Sequence, residues 1–428
     1  MKKIILPLLL IATTALGQSK LRPSIDQKAQ GIESKVIEWR RDFHQHPELG
    51  NQEVRTAKIV ADHLRSLGME VTENVAVTGV VGVLRGGKPG PMVALRADMD
   101  ALPVTERVDL PFKSTVTANY NGQQTGVMHA CGHDSHTAIL MGVAEVLAAH
   151  KNQLEGSVKF IFQPAEEGVT EVPMAGAELM VKEGVMQDVD AIFGLHIWAQ
   201  VEAGKIGYRP GPTMAAVDIL GINVHGTQAH GASPWSGVDP IVTSAQIITG
   251  LQTILSRSVN VTENPAVVTV GAIHGGIRHN IIPEKVELIG TIRTFGEAQQ
   301  ALVHRRINTI ATNIAESAGA KAEVTITKLY PSTVNDEALT ATMLPSLAAA
   351  AGKENLILMD PMTGSEDFSF FQKEKPGVFV FLGGMKPGAD PLKTPSHHTP
   401  DFYLDESGFT LGVRALSYLV VDYMGMKK

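Results

Sequence analysis

Two spacings of apolar residues alternate along this chain. Ile59, Val60, Leu64 and Leu67 repeat at helical spacing and Gly68 stops the run, which predicts a helix over residues 56–67. Residues 32–43 read as an earlier helix. Short β-rich runs bounded by Gly, Pro or charge follow at 78–84 and 91–96. Ile139, Leu140, Val143, Val146 and Leu147 form one stripe, so 138–149 is an amphipathic helix. A strand over 157–162, a helix over 175–183 and a strand over 191–195 continue a β–α–β alternation, which points to a sheet sandwiched by helices.

The pattern changes at residues 207–212, where Gly and Pro mark a hinge-like link. Beyond it lie a strand (218–225), a helix (241–255), two strands (266–273 and 285–294), a helix (299–317) and a strand (321–328). That β-α-β-β-α-β order is the split, ferredoxin-like arrangement, and its length suits an independent unit. From Pro331 helices and strands resume and end in a helix over 408–424. The expected organisation is an α/β catalytic domain (25–208 and 329–428) interrupted by an α+β unit (209–328).

Composition adds an address and removes some partners. Lys2 and Lys3 precede the apolar run 4–12, and Ala15-Leu16-Gly17 offers small residues for cleavage. Residues 1–17 therefore read as a secretory signal peptide, and the mature protein as exported, periplasmic or secreted. Removing those two lysines takes the formal charge from −7 to −9. An acidic chain lacks the basic face that nucleic acid demands. No later run is long and apolar enough for a bilayer span, so no membrane partner is expected after cleavage. The chain has 1 Cys, which rules out an internal disulfide and leaves Cys131 either inert or chemical.

Cys131 stands in His129-Ala130-Cys131-Gly132-His133-Asp134-Ser135-His136, a run crowded with metal ligands and proton carriers. Other such residues close apolar, strand-like runs: Asp98 and Asp100 after Ala94-Leu95, Glu166-Glu167 after Phe160-Ile161-Phe162, and His196 after Phe193-Gly194-Leu195. Ser396-His397-His398-Thr399-Pro400-Asp401-Phe402 lies near the C terminus. Ligands gather at the carboxyl ends of strands in α/β sheets, so these groups should converge. Cys131 and His133 are two apart, and in an extended loop both would point the same way. A thiolate with an imidazole suits zinc, cobalt or nickel. Adjacent glutamates in extended backbone diverge, so one can reach a metal while the other takes a proton from water.

These motifs, from Trp39-Arg40-Arg41-Asp42-Phe43-His44-Gln45-His46-Pro47-Glu48-Leu49 to the region of His398, resemble a family of dinuclear metallo-amidohydrolases and exopeptidases. That family includes aminoacylases, hippurate hydrolases, indole-acetyl-amino-acid hydrolases and glutamate carboxypeptidases, and the cysteine cluster is similar to the hippurate hydrolase branch. The resemblance implies a zinc-exopeptidase-like catalytic domain with a ferredoxin-like lid and dimerisation insert. It implies two divalent metal ions, zinc foremost, with manganese, cobalt and nickel as alternatives. Cys131 would bridge them, flanked by His133, Glu167, His196 and His398. Glu166 would be the general base and acid, and Asp100 would orient a ligating imidazole. His398 is chosen over His397 because the family spacing, a histidine, three intervening residues, then an aromatic or acidic position, fits His398 and Phe402. Val224-His225-Gly226-Thr227-Gln228-Ala229-His230-Gly231-Ala232-Ser233-Pro234 resembles the lid motif, with His230 stabilising the oxyanion, in dimeric relatives across the subunit boundary. Asn280 and Arg293 resemble groups that hold the substrate carboxylate. Gly364-Ser365-Glu366-Asp367-Phe368 resembles a further family motif, with no role beyond lining the site.

The activity so implied is cleavage of N-acyl amino acids, hippurate-like or N-acetyl, by attack of metal-bound hydroxide, in a homodimer formed through the insert. A metallo-carboxypeptidase or dipeptidase acting on short peptides is the nearest alternative. A third reading makes Cys131 a nucleophile activated by His133 or His129. A non-catalytic scaffold would be expected to have lost the base or several ligands, and here all are present.

Overall fold

The computed structural model describes residues 20–168 and 176–426. The signal-peptide segment and Ala175, the expected first residue of one helix, lie outside those residues. The larger unit is built on an eight-stranded mixed sheet. In spatial order its strands are Glu70–Val75, Gly79–Arg85, Glu155–Gln163, Lys88–Asp98, Ala191–Glu202, Gly377–Met385, Ile206–Tyr208 and Leu356–Leu358. The third to the sixth run parallel to one another, and antiparallel pairings flank this block on both sides.

Strand periodicity divides the core between two faces. Val93, Leu95 and Ala97 enter one apolar cluster with Val378, Val380 and Leu382, while Met92 and Ala94 enter another with Phe379 and Phe381. Helices Glu33–Gln45, Val54–Ser66, His133–Ala149, Glu337–Ala351 and Phe409–Met424 cover the first face. Gly176–Lys182 and Phe368–Glu374 cover the second. His133–Ala149 is buried along almost its whole length. A Cβ at Gly142 would come within 2.9 Å of Val36 and 3.1 Å of Val413, so glycine there lets two neighbouring helices close in. The stripe at 138–149 is thus one side of a core helix rather than of an amphipathic one.

The inserted unit is a four-stranded antiparallel sheet in the order Val267–Gly275, Lys285–Thr294, Ala216–His225, Lys321–Tyr330. Numbered along the insert this is 2-3-1-4, the ferredoxin-like order. Helices Pro240–Arg257 and Glu297–Ser317 share one core with it through Leu220, Ile222, Leu288, Ile254 and Ile307. Asp239 caps the first of them by accepting from the Ile241 and Val242 amides. The opposite sheet face leaves Ile219 and Ile289 exposed. The expected hinge at 207–212 is different in kind: it falls on two short strands, Ile206–Tyr208 in the large sheet and Gly211–Met214 paired with Thr333–Asn335. No helix among the described residues is long and apolar enough to cross a membrane.

Candidate metal centre

The parallel strands end together and deliver their polar residues to one place. Register sets Asp98 opposite Gln163 and Arg96 opposite Gly194, so His196 lies two residues past the last pairing with the central strand. The chain leaves these ends at Asp100 and at Pro164-Ala165-Glu166-Glu167. The cysteine run is not extended, as its spacing suggested. Gly132 takes φ 100° and His133 opens the long helix, with His136 one turn on. A Cβ on Gly132 would lie 2.5 Å from Ile197 Cγ2, so the left-handed turn both needs glycine and reverses the chain between Cys131 and His133. Glu166 and Glu167 likewise occupy a turn, not a strand, and their ligand oxygens lie within 4.8 Å of each other rather than diverging. Ala165 is left-handed at φ 51°, and the Gly168 amide closes back on the Ala165 carbonyl at 3.3 Å.

Two groups of ligand atoms share Cys131. Cys131, His133 and His196 form one, and Cys131, Glu167 and His398 the other, each with its atoms within 4.8 Å of one another. Cys131 Sγ is 3.4 Å from His196 Nε2 and 3.3 Å from His398 Nε2, and His398 Nε2 is 2.9 Å from Glu167 Oε1. His398 also has a left-handed backbone, φ 64°. His397 turns away, its Nε2 3.1 Å from the Ile197 carbonyl and its ring against Trp198. His133 directs Nδ1 to Asp100, 2.9 Å from the carbonyl and 3.1 Å from Oδ1. Its buried Nε2 has no hydrogen-bond partner, with Asp98 at 3.7 Å and Glu166 at 4.0 Å. His133, Glu166 and Glu167 form a third such group. Beside Glu167 a cavity of about 500 Å³ opens between Leu49, Asn51, Leu102, Asn119 and Tyr120.

The insert residues stand apart from this cluster. His230 is exposed on a two-residue strand paired with Ile281–Ile282, its Nδ1 accepting from the Ala232 amide at 3.0 Å. The Asn280 carbonyl accepts from the Gly231 amide at 2.9 Å, so His230 and Asn280 share one ribbon. Asn280 Oδ1 is buried without a hydrogen-bond partner. Arg293 donates to Ser365 Oγ of the larger unit at 3.2 Å.

Residues 94–422 match the model of peptidase family M20/M25/M40. The protein belongs to that family. It is 40% identical over 394 residues to thermostable carboxypeptidase 1 of Saccharolobus solfataricus, covering 92% of this chain and 96% of the relative. It is 37% identical over 395 residues to an N-acetylcysteine deacetylase of Bacillus subtilis, covering 92% and 97%. Among solved structures, a dinuclear metal binding M20 peptidase from Bacillus subtilis superposes with a TM-score of 0.78 at 35% identity, covering 92% and 99%. As an M20 family member on this fold, the chain is a hydrolase acting on amide bonds.

The electrostatics of this M20 hydrolase are dominated by buried acid. Burial, then Glu366, Glu167 and Asp367, push the Glu166 carboxyl well above the usual range. Burial, then Glu167 and Glu166, raise the Cys131 thiol. His133 is pushed up to about 10: burial opposes protonation, but Asp98 and Asp100 outweigh it. His196 goes the other way, through burial and then His136 and His397.

Several groups at the site carry no role in the sequence reading. Fully buried Arg96 donates to Asp98 at 2.7 Å, to Gln163 at 2.7 Å and to Glu366 and Asp367 at 2.9 Å each. Glu366 and Asp367, read only as lining, are therefore the carboxyl partners of that guanidinium. Asp98 also accepts from His136 Nδ1 at 2.6 Å, and His136 Nε2 accepts from the Ile197 amide at 2.7 Å. Arg96 and Asp98, two apart in an apolar strand, were the available signal, since period two puts both on one face.

Proposed function

We propose that this protein is a metal-dependent amidohydrolase that removes the acyl group from N-acyl amino acids, hippurate-like or N-acetyl. The observation that carries the reading is the pair of ligand groups sharing Cys131, set among Asp98, Asp100, Glu166, Glu167, Glu366 and Asp367, of which Asp98, Glu366 and Asp367 pair with the guanidinium of Arg96. Such an excess of buried acid is costly unless cations offset it. The partnerless Nε2 of His133 fits the same need. Cys131 would bridge two divalent cations, zinc, manganese, cobalt or nickel, with His133, His196, Glu167 and His398 completing the set. Bound there, the cations supply an activated water and a Lewis acid for the scissile carbonyl.

The remaining work belongs to side chains. Glu166 takes the proton of the attacking water and passes it to the departing amine, and its raised proton affinity suits that double role. Asp100 fixes the tautomer of His133 by engaging Nδ1. His230 donates to the developing oxyanion, while Asn280 and Arg293 receive the substrate carboxylate. His230, exposed on the insert, suits a site completed across a homodimer. The apolar N-terminal run supports export to the periplasm or medium. The carboxypeptidase relative favours a second reading, cleavage of dipeptides or short peptides.

A metal-reconstituted assay over N-acetyl, N-benzoyl and fatty-acyl amino acids beside simple dipeptides separates the two. Glu166→Gln is expected to keep its metal and lose most turnover; near-normal activity would sink the assignment. Chelation should abolish activity and added zinc, manganese or cobalt restore it, whereas an enzyme using Cys131 as nucleophile would survive chelation. Sedimentation mass and N-terminal sequencing of the exported protein test the dimer and the cleavage site.

A further inference from the structure

The turn that carries Glu166 is held by side chains from three other parts of the chain. Glu53 Oε1 accepts from the Ala165 amide at 2.9 Å, Tyr330 donates its hydroxyl to the Glu166 carbonyl at 2.8 Å, and Asp100 Oδ2 accepts from the Glu167 amide at 2.9 Å. They hold both the Pro164–Ala165 and the Glu166–Glu167 peptide units, on either side of Ala165, whose φ of 51° is left-handed. A non-glycine residue keeps such a backbone only where its surroundings over-determine it.

The helix that follows Glu53 does not account for its burial. Glu53 occupies the N-cap position of helix Val54–Ser66 but makes no side-chain cap bond. Glu48 does that work, accepting from the Arg55 amide at 2.9 Å and the Thr56 amide at 2.8 Å. Glu53 is fully buried, and its second oxygen accepts from Thr78 Oγ1 at 2.5 Å. Burying a carboxyl group beside Asp100 is a cost that the helix does not require. Tyr330 is the last residue of the insert's edge strand Lys321–Tyr330, so the seating of the insert and the backbone of Glu166 share one hydrogen bond.

We propose that Glu53 and Tyr330 are positioning residues for Glu166, fixing the Ala165–Glu167 turn that carries the base and its neighbour Glu167 to the same group of ligand atoms as His133. The inference rests on Glu166 being the proton carrier. Misplacing a reacting group by about 1 Å can cost roughly 100-fold in rate. Tyr330→Phe removes only the hydroxyl, and Glu53→Ala removes the acceptor for Ala165. Glu53→Gln keeps an acceptor oxygen for that amide.

The test uses the zinc-reconstituted full chain with N-acetyl-L-methionine, or whichever N-acyl amino acid it turns over best. Tyr330→Phe and Glu53→Ala should lower kcat roughly 10- to 100-fold with KM and bound zinc unchanged. Glu53→Gln should restore kcat to within a few-fold of the parent. Hydrogen exchange read on the peptide spanning residues 160–168 should quicken in Glu53→Ala and not in Glu53→Gln. Unchanged kcat in both Tyr330→Phe and Glu53→Ala overturns the proposal, as does loss of zinc in step with activity. Glu166→Gln run in parallel keeps the two ideas separate. If it stays active the general-base reading fails; if it is dead while the other variants are normal, only the positioning role fails.

Discussion

Cys131 lies between His196 and His398 at near-contact distance, in a pocket where burial and two glutamates oppose its thiolate. A bare nucleophile would want the reverse, a cationic and partly exposed setting. The same acid excess governs Glu53, which burial and then Asp100 push up to about 8. A carboxyl group whose folded affinity for protons exceeds its unfolded one adds stability below the ordinary glutamate value of about 4.3 and loses it as pH rises through the folded value. Each tenfold change in proton affinity is worth about 1.4 kcal/mol, so a few kcal/mol should be lost between about pH 4 and 8. Glu53→Gln carries no such proton. Denaturant unfolding of chelated protein at pH 5 and pH 9 should therefore show a smaller drop for the variant, and equal drops would refute the coupling. At this scale the residue types were legible: Glu166, Glu167 and His196 close apolar runs, Cys131 and His133 stand in a crowded run of ligands, and His398 was chosen by family resemblance. Glu53 and Tyr330 could not, since their partners are backbone groups far along the chain.

Among the elements, helix His133–Ala149 shows why boundaries slipped. Its first turn holds His133, Asp134 and His136, polar residues that a surface reading assigns to a loop, yet all three are buried. Their polar atoms are met from inside: Asp134 by Arg40 Nε at 2.9 Å and His44 Nδ1 at 2.7 Å, His136 by Asp98. The turn before it depends on Gly132. Gly132→Ala would place a Cβ 2.5 Å from Ile197 Cγ2 and 3.2 Å from Leu404 Cδ1 at φ 100°. Backbone strain of about 1–3 kcal/mol and overpacking of similar size should add. Because Cys131 and His133 flank the turn, calorimetry should show a lower unfolding temperature together with weaker zinc binding. A variant that unfolds and binds zinc like the parent would refute the account. The strands 157–162 and 191–195 were legible from their apolar runs, but their extensions to Glu155–Gln163 and Ala191–Glu202 follow from pairing with neighbours.

For the molecule as a whole, metal should be a structural ligand as well as a chemical one. A cation that binds only the folded chain stabilises it by about 2.7 kcal/mol when free metal is 100 times the Kd. Chelated protein should therefore melt at lower temperature than the zinc-loaded form, with the gap growing as zinc is raised; a melting point indifferent to zinc would count against the centre. The chain by itself determined the two-unit plan, the ferredoxin-like order of the insert and the residue types at the strand ends. Those are local matters, set by the period of apolar positions and by what terminates each run. Only the tertiary structure decided which buried charges meet: Arg96 with Glu366 and Asp367, Asp98 with His136, and Glu53, Asp100 and Tyr330 around one strained turn. A buried polar group must find its partner wherever the fold brings one, and that pairing leaves no periodic mark in the sequence.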